Sequence, residues 1–239
     1  MTSTSTSTST DKAADAGDAL FSELPSADLA SRIADQVLRA ISDNRLTPGQ
    51  KVAEARLARE MGTSRAPVRE ALRLLESQGL IVSHPRRGFF VHSYDADELD
   101  DIYDLRECLE LHAAESAVER VTTADIDRLA AQVNLLKQLA QDGQMQEQIA
   151  QDYEFHRMLC ALGGNMRVLR LFDQISTQLR AGIALLGRVY DDPRELARSH
   201  DVLIDALRNK DAAGLRRELK EHLEEARFQV VALFRKDNE

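Results

Sequence analysis

Glu54-Ala55-Arg56-Leu57-Ala58-Arg59-Glu60-Met61-Gly62-Thr63-Ser64-Arg65-Ala66-Pro67-Val68-Arg69-Glu70-Ala71-Leu72 is the stretch whose reading decides the fold. A short helix from about Ala53 to Met61 presents Leu57 and Met61, and Gly62 ends it. A second helix starts behind Ser64, whose hydroxyl suits an N-cap, and it tolerates Pro67 because that residue falls in the first turn. Val68, Leu72 and Leu75 give it a buried face as far as Gly79. Helix, glycine turn and helix make a helix-turn-helix, whose second helix can enter a DNA major groove. Arg65 and Arg69 are four residues apart and project from one side of that helix. A guanidinium fork there can bind O6 and N7 of guanine together, which a lysine cannot.

The flanks agree with this reading. Upstream, Ile33, Val37 and Ile41 repeat every four residues, with Leu29 and Leu38 widening the stripe into a helix face. The turn signal Leu46-Thr47-Pro48-Gly49 stops that helix. Downstream, Leu80-Ile81-Val82 and Phe89-Phe90-Val91 are short strands joined by a basic hairpin tip, Ser83 to Gly88. Arg73 extends the arginine row towards phosphates, and Arg86 and Arg87 at the tip suit the DNA backbone or minor groove. Any one of these arginines alone divides evenly between solvating a helix face and contacting DNA. The ordered set, between two flanking helices and a wing, reads as a DNA-binding module.

The formal net charge of −9 conceals a division. From Ser26 to Tyr94 there are 11 Lys/Arg against 7 Asp/Glu, whereas from Asp95 onward there are 19 against 29. A basic module joined to an acidic one fits DNA binding confined to the first. Residues 1–24, a Thr/Ser tract followed by Ala/Asp/Gly-rich sequence, have little to bury and are expected to be a disordered leader. No run approaches the roughly 18 apolar residues of a membrane span, and the start carries no apolar signal core. Cys108 and Cys160, both within apolar helical patterns, read as buried free thiols in a reducing compartment. A cytoplasmic protein is expected.

From Asp95 the pattern becomes one of long helices, expected at 96–120, 123–141, 145–162, 165–187, 193–208 and 211–235. Short connections between them imply an antiparallel bundle of about six helices. The fold class is therefore mainly α, with a leader to 24, a winged helix-turn-helix over 25–94 and a helical domain over 95–239.

The histidines differ in weight. His84, His92 and His112 stand alone and suit surface or packing roles. Asp152 and His156, four apart, face one side of the third bundle helix, while His200 and His222 lie on the fifth and sixth. One carboxylate and three imidazoles suit a divalent ion with one or two open positions, but spacing across helices does not establish convergence. Separate roles in capping, pairing or packing remain the alternative. Arg106 divides evenly between a salt bridge to Glu107 or Glu110 and a role facing a ligand.

Residues 29–91 also resemble the winged helix-turn-helix of the GntR family. The match lies in Ser64-Arg65-Ala66-Pro67-Val68-Arg69-Glu70-Ala71-Leu72, then Leu75-Glu76 and Gly79-Leu80-Ile81. The resemblance implies base contacts from Arg65 and Arg69, phosphate or groove contacts from Thr63 and Ser64, and a minor-groove approach at Gly88. The family often has another arginine where Ala55 stands; Arg56 is adjacent, about 100° around the helix. Residues 96–235 resemble the all-helical FCD-type ligand-binding domain of the FadR subfamily, in its metal-containing branch. That match rests on Tyr103-Asp104-Leu105-Arg106-Glu107-Cys108-Leu109-Glu110, Asp152 to His156, Gly164-Asn165, His200 before Val202-Leu203-Ile204, and His222 in Lys220-Glu221-His222-Leu223. It implies Asp152, His156, His200 and His222 as ligands of a divalent ion such as Zn, Ni or Mn. It also implies Arg106 as the partner of an anionic effector, a small organic acid.

The function expected is a homodimeric regulator at a palindromic duplex operator, since two recognition helices match a two-fold site. A metal-dependent enzyme fused to a DNA-binding domain is the second class. The chain lacks G-x-S-x-G, H-E-x-x-H and a phosphate-cradling glycine loop, although Glu154 and Glu221 stand as potential general bases. A nonspecific architectural DNA protein is the third.

Overall fold

The structure, a computed structural model, describes residues 28–184 and 192–236. The expected leader, residues 185–187 of the expected helix at 165–187, and Asp191 lie outside the described residues.

The N-terminal part runs α1 (Asp28–Ser42), β1 (Lys51–Val52), α2 (Glu54–Glu60), α3 (Arg65–Ser77), β2 (Ile81–His84) and β3 (Gly88–Val91). Ile33, Val37 and Ile41 are buried, as their spacing requires, and α1 packs across α3. The strands form an antiparallel sheet in the order β1-β3-β2, with Ile81 opposite Val91 and Val52 opposite Phe89. β1 is an addition to the expected elements; two residues are too short to leave an alternation in sequence. Both helices of the helix-turn-helix end in the same way. Gly62 and Gly79, at φ of +62° and +79°, donate to the Arg59 and Glu76 carbonyls, and the next residues donate to Ala58 and Leu75. This double closure of the last turn needs a left-handed residue, which glycine adopts at no steric cost.

One expectation there fails. Ser64 stands at the N-cap of α3 with extended backbone, but its side chain makes no capping hydrogen bond. At the wing tip the Arg87 N–H donates to the His84 carbonyl. Pro85 thus takes the second position of a tight turn and Arg86 the third, at φ +64°. A non-glycine residue held there costs about 1–2 kcal/mol.

The C-terminal part contains α4 (Ala96–Arg120), α5 (Thr123–Gln141), α6 (Met145–Leu162), α7 (Met166–Ala184), α8 (Pro193–Ser199), α9 (Asp201–Arg208) and α10 (Ala212–Lys236). Capping boxes at Asp95/Glu98 and Thr122/Asp125 set the starts of α4 and α5. α10 lies along α4, and α6 packs against α4, α5 and α7. Leu129, Leu136, Phe155, Leu159, Leu203 and Leu219 form a bundle core, each contributing about 1.5–3 kcal/mol by burial.

The helix expected over 193–208 is divided at His200, giving seven bundle helices among the described residues. Leu196 O accepts from Ser199 Oγ (2.7 Å) and His200 Nδ1 (3.0 Å), while the backbone N–H of His200 turns to Arg198 O. Side chains have taken the carbonyl that a continuous helix would use. A further correction concerns the thiols: Cys160 is buried, but Cys108 is exposed.

A second apolar cluster runs without interruption from the winged part into the bundle. Val37, Leu72, Leu75 and Leu80 belong to it together with Tyr94, Leu99, Tyr103, Tyr153, Leu179 and Val230. Polar contacts reinforce this junction at the end of α3: Gln178 on α7 donates to Gln78 O (2.7 Å), and Tyr94 donates to Gly79 O (2.8 Å).

Candidate nucleic-acid interface and metal centre

The solvent side of α3 carries Arg65, Arg69 and Arg73, all exposed, beside the half-buried Thr63 and exposed Ser64 at its start. Between α3 and the wing lies an open groove of about 590 Å³ lined by Arg69, Arg73, Arg86, Arg87 and Gly88 among others. The arginines are not equivalent. Arg65 makes no side-chain hydrogen bond or ion pair among the described residues, its charge only adding to the pull on Glu54. Arg69 is clamped by Glu54 at the start of α2, with Nε 2.7 Å and Nη2 2.9 Å from the two carboxylate oxygens. That hydrogen bond, helped by the charge of Arg69, holds Glu54 below the usual carboxylate range. Arg73 reaches Glu76 at 3.2 Å and lies 5.8 Å from the Phe89 ring centre; Arg87 lies 5.4 Å from that of Phe90. Arg56 bonds Glu60 on its own helix at 2.7 Å and lines a different groove, between α1, β1 and α2.

The second region is the bundle interior. Asp152, His156, His200 and His222 each offer a ligand atom, and these atoms all lie within 4.8 Å of one another. The spread suits one ion with bonds of about 2.0–2.2 Å, which would set opposite donors about 4 Å apart. The hydrogen bonds around the ring fix each imidazole. His156 Nδ1 is 2.5 Å from Glu110 Oε2, and His200 Nδ1 is 3.0 Å from Leu196 O; both partners only accept. Ser199 donates its hydroxyl hydrogen to Leu196 O, so its oxygen accepts from His222 Nδ1 at 2.9 Å. Every Nδ1 therefore carries the proton and points outward, leaving three Nε2 lone pairs directed inward. His156 Nε2 and His222 Nε2 then face each other at 3.2 Å, lone pair to lone pair. His200 Nε2 lies 3.2 Å from Asp152 Oδ1, yet among the described residues neither atom has a hydrogen-bond partner. A cation shared among them satisfies all four groups.

The electrostatics favour ligand forms. Burial lowers the pKa of His156 against the pull of Glu110, and burial with the two neighbouring imidazoles lowers His222 further. Burial works to raise Asp152, but whenever the imidazoles carry a second proton, donation and charge from His200, with the charges of the others, outweigh it and hold the carboxyl below the usual range.

Sequence reasoning gave Glu110 only as a salt-bridge candidate for Arg106. It is wholly buried and central: Oε1 accepts from Arg106 Nε and Oε2 from His156 Nδ1, both at 2.5 Å. The i, i+4 spacing of Arg106 and Glu110 was the available signal. Arg106 thus forms the ion pair, while among the described residues its Nη2 has no hydrogen-bond partner. Its guanidinium carbon sits 5.6 Å and 5.2 Å from the ring centres of Tyr103 and Tyr153, whose hydroxyls are also buried and unpartnered. Burial pushes Tyr103 up to about 12, so it stays a neutral donor. His92 pairs with Glu98 and stacks on Tyr94, away from this cluster.

A basic recognition helix and wing on one side, and a buried acid-and-imidazole cluster in a helical bundle on the other, define a DNA-binding regulator with a separate sensing domain. Residues 29–91 match the model described as bacterial regulatory proteins, gntR family, and residues 101–225 match the FCD domain. The chain belongs to the GntR family of transcriptional regulators, with an FCD ligand-binding domain. It is 30% identical over 200 residues to the HTH-type transcriptional regulator McbR of Escherichia coli K12, covering 82% of this chain and 90% of that protein. It is 24% identical to the gluconate operon transcriptional repressor of Bacillus licheniformis, covering 85% of each. The solved structure of E. coli McbR/YncC matches with a TM-score of 0.74 and 26% identity, covering 88% of this chain and 99% of that one. Among the described residues no helix is long and apolar enough to cross a membrane.

Proposed function

We propose that this chain is a homodimeric cytoplasmic regulator that reads a palindromic duplex operator and responds to a small organic acid bound at a divalent metal. The observation that carries the sensing half is the tautomer pattern: three outward Nδ1–H donors leave three imidazole lone pairs and Asp152 converging on one point. An N₃O donor set suits Zn, Ni or Mn. When bound, the ion would supply a coordination position for a carboxylate oxygen. Arg106 Nη2 and the two tyrosine hydroxyls are left to hold the rest of the anion.

In the reading head, Arg65 presents the unencumbered fork to a guanine. Arg69 is held in plane by Glu54, and Thr63, Ser64, Arg73, Arg86, Arg87 and Gly88 serve the backbone and minor groove. The regulator is favoured over an enzyme because the two candidate bases face outward: Glu154 is paired with Arg157 at the surface and Glu221 is exposed. It is favoured over an architectural protein because the buried cluster has a sensor's chemistry.

The test pairs metal content with acid titration on the full chain. His200→Ala should lower metal occupancy and acid affinity yet leave operator binding intact; Arg106→Ala should keep the metal and weaken the acid. Unchanged metal content in single variants of all four ligands refutes the site. Normal acid binding after complete chelation refutes the coordination.

A further inference from the structure

We infer that the effector is a hydroxycarboxylate, and that Gln148 is the residue that reads its hydroxyl. This rests on the acid-sensing reading above and narrows it.

Gln148 lies on α6 one turn before Asp152, so the two side chains share a face with Cβ atoms about 5–6 Å apart. It is 1% exposed. Its amide is oriented without ambiguity: Nε2 donates to Pro193 O at 2.7 Å, and a flip would set oxygen against oxygen. Oε1 is therefore the atom left over, and among the described residues it has no donor. An amide oxygen only accepts, so whatever fills this place must bring a hydrogen.

Apart from the metal-ligand oxygen Asp152 Oδ1, the other buried atoms of α4 and α6 without a hydrogen-bond partner among the described residues have the opposite need. Arg106 Nη2 only donates, and the neutral hydroxyls of Tyr103 and Tyr153 can donate. α4 and α6 pack against each other, and Tyr103 and Tyr153 flank the Arg106 guanidinium from the two helices. α6 thus carries one fixed acceptor a turn from the metal ligand Asp152, and α4 and α6 together carry several donors around Arg106.

A plain carboxylic acid satisfies the donors but leaves Oε1 facing another acceptor. A keto acid adds one more acceptor and worsens the mismatch. An ammonium group could donate to Oε1, but it would add positive charge near Arg106 and the proposed cation. Neither neighbouring carboxylate is available to offset that charge, since Glu110 is committed to Arg106 and His156, and Asp152 to the imidazoles. A hydroxyl donates to Gln148 and accepts from a tyrosine at once. A site built around such a group discriminates strongly against analogues that lack it, because its own polar atom is then stranded.

The experiment is calorimetric titration of the full-length, metal-loaded protein with matched acids of one carbon skeleton. One set is malate, succinate, oxaloacetate and aspartate; a second is lactate, propionate, pyruvate and alanine; a third is gluconate with its 2-keto and 2-deoxy analogues. In at least one set the hydroxy acid should bind about 10- to 100-fold more tightly than its counterparts. Gln148→Met, similar in volume but without the acceptor, should shrink that preference to within about threefold. Equal binding of hydroxy, keto and deoxy acids by the unaltered protein overturns the inference and leaves the acid-sensing reading standing, without reliance on any variant. A preference that survives intact in a folded Gln148→Met protein overturns the role of Gln148. Failure of every acid in all sets overturns both readings together.

Discussion

Replacing Glu110 by Gln tests whether a carboxylate outside the ligand set controls the cluster. Glu110 accepts from two donors that cannot themselves accept in their present forms, Arg106 Nε and His156 Nδ1. A glutamine keeps one oxygen and gains one NH₂. Arginine never accepts, so the amide oxygen must stay with Arg106, and the NH₂ must face His156. His156 can accommodate that only by moving its proton to Nε2, which removes the lone pair from the cluster. The substitution should thus behave as the loss of a ligand although no ligand is changed. Loss of an outer partner of this kind costs about 10- to 100-fold in metal affinity, or about 1.4–2.8 kcal/mol at 1.4 kcal/mol per tenfold. Glu110→Ala should be harsher in another currency: it strands the Arg106 charge inside the bundle, at about 3–5 kcal/mol of fold stability. Competition against a chelator of known affinity gives the first quantity, and urea unfolding of the metal-free proteins gives the second. If Glu110→Gln binds metal as tightly as the unaltered protein, the tautomer argument is wrong.

Other perturbations follow from the same geometry. Arg65→Ala should reduce the preference for operator over scrambled duplex by about 5- to 150-fold at one fixed salt concentration. Arg69→Ala should reduce it less, because Glu54 occupies Nε and Nη2; a fluorescence anisotropy series compares the two, and equal losses would contradict the distinction. Gly79→Ala must adopt φ +79° and would bring its Cβ to 2.3 Å from Gln178 Nε2. It should cost at least about 1–2 kcal/mol, read as a lowered urea midpoint. The pH dependence has a defined sign at Asp100, whose carboxyl is lowered by its hydrogen bonds from Arg227. Its stabilising contribution is complete above the ordinary value of about 4 and is lost as pH falls through the depressed folded value. Asp100→Asn should therefore flatten the acid side of the stability curve and narrow the gap to the unaltered protein at low pH.

Much of the fold was legible because its punctuation is chemical. The helices over 96–120, 123–141 and 145–162 appear at the expected residues, the first two opened by capping boxes at Asp95 and Thr122. The division at His200 was not legible: apolar residues on either side keep a helical period, and the cause is a side-chain bond to the Leu196 carbonyl. Ser64 illustrates the converse, a residue type that permits a cap without compelling one. In the cluster, the i, i+4 pair Asp152/His156 could be read locally, whereas its meeting with His200 and His222 depends on how three helices pack. Glu110 and Gln148 are quiet in the sequence for a related reason. A buried polar side chain is recognised by what surrounds it, and those surroundings are assembled from distant segments.

The apolar cluster shared by the winged part and the bundle bears on how readily this regulator could be rebuilt. Exchange of reading heads between sensors treats the two parts as interchangeable modules on a tether. Here the cut after residue 91 would bare Leu72, Leu75 and Leu80 on one piece and Leu99, Tyr103, Leu179 and Val230 on the other. It would also take Gln178 and Tyr94 away from the end of α3. A working chimera would have to carry the facing residues of α4, α7 and α10 along with the head. Such a graft has its seam inside the bundle, well beyond the point where the change in sequence character would place it.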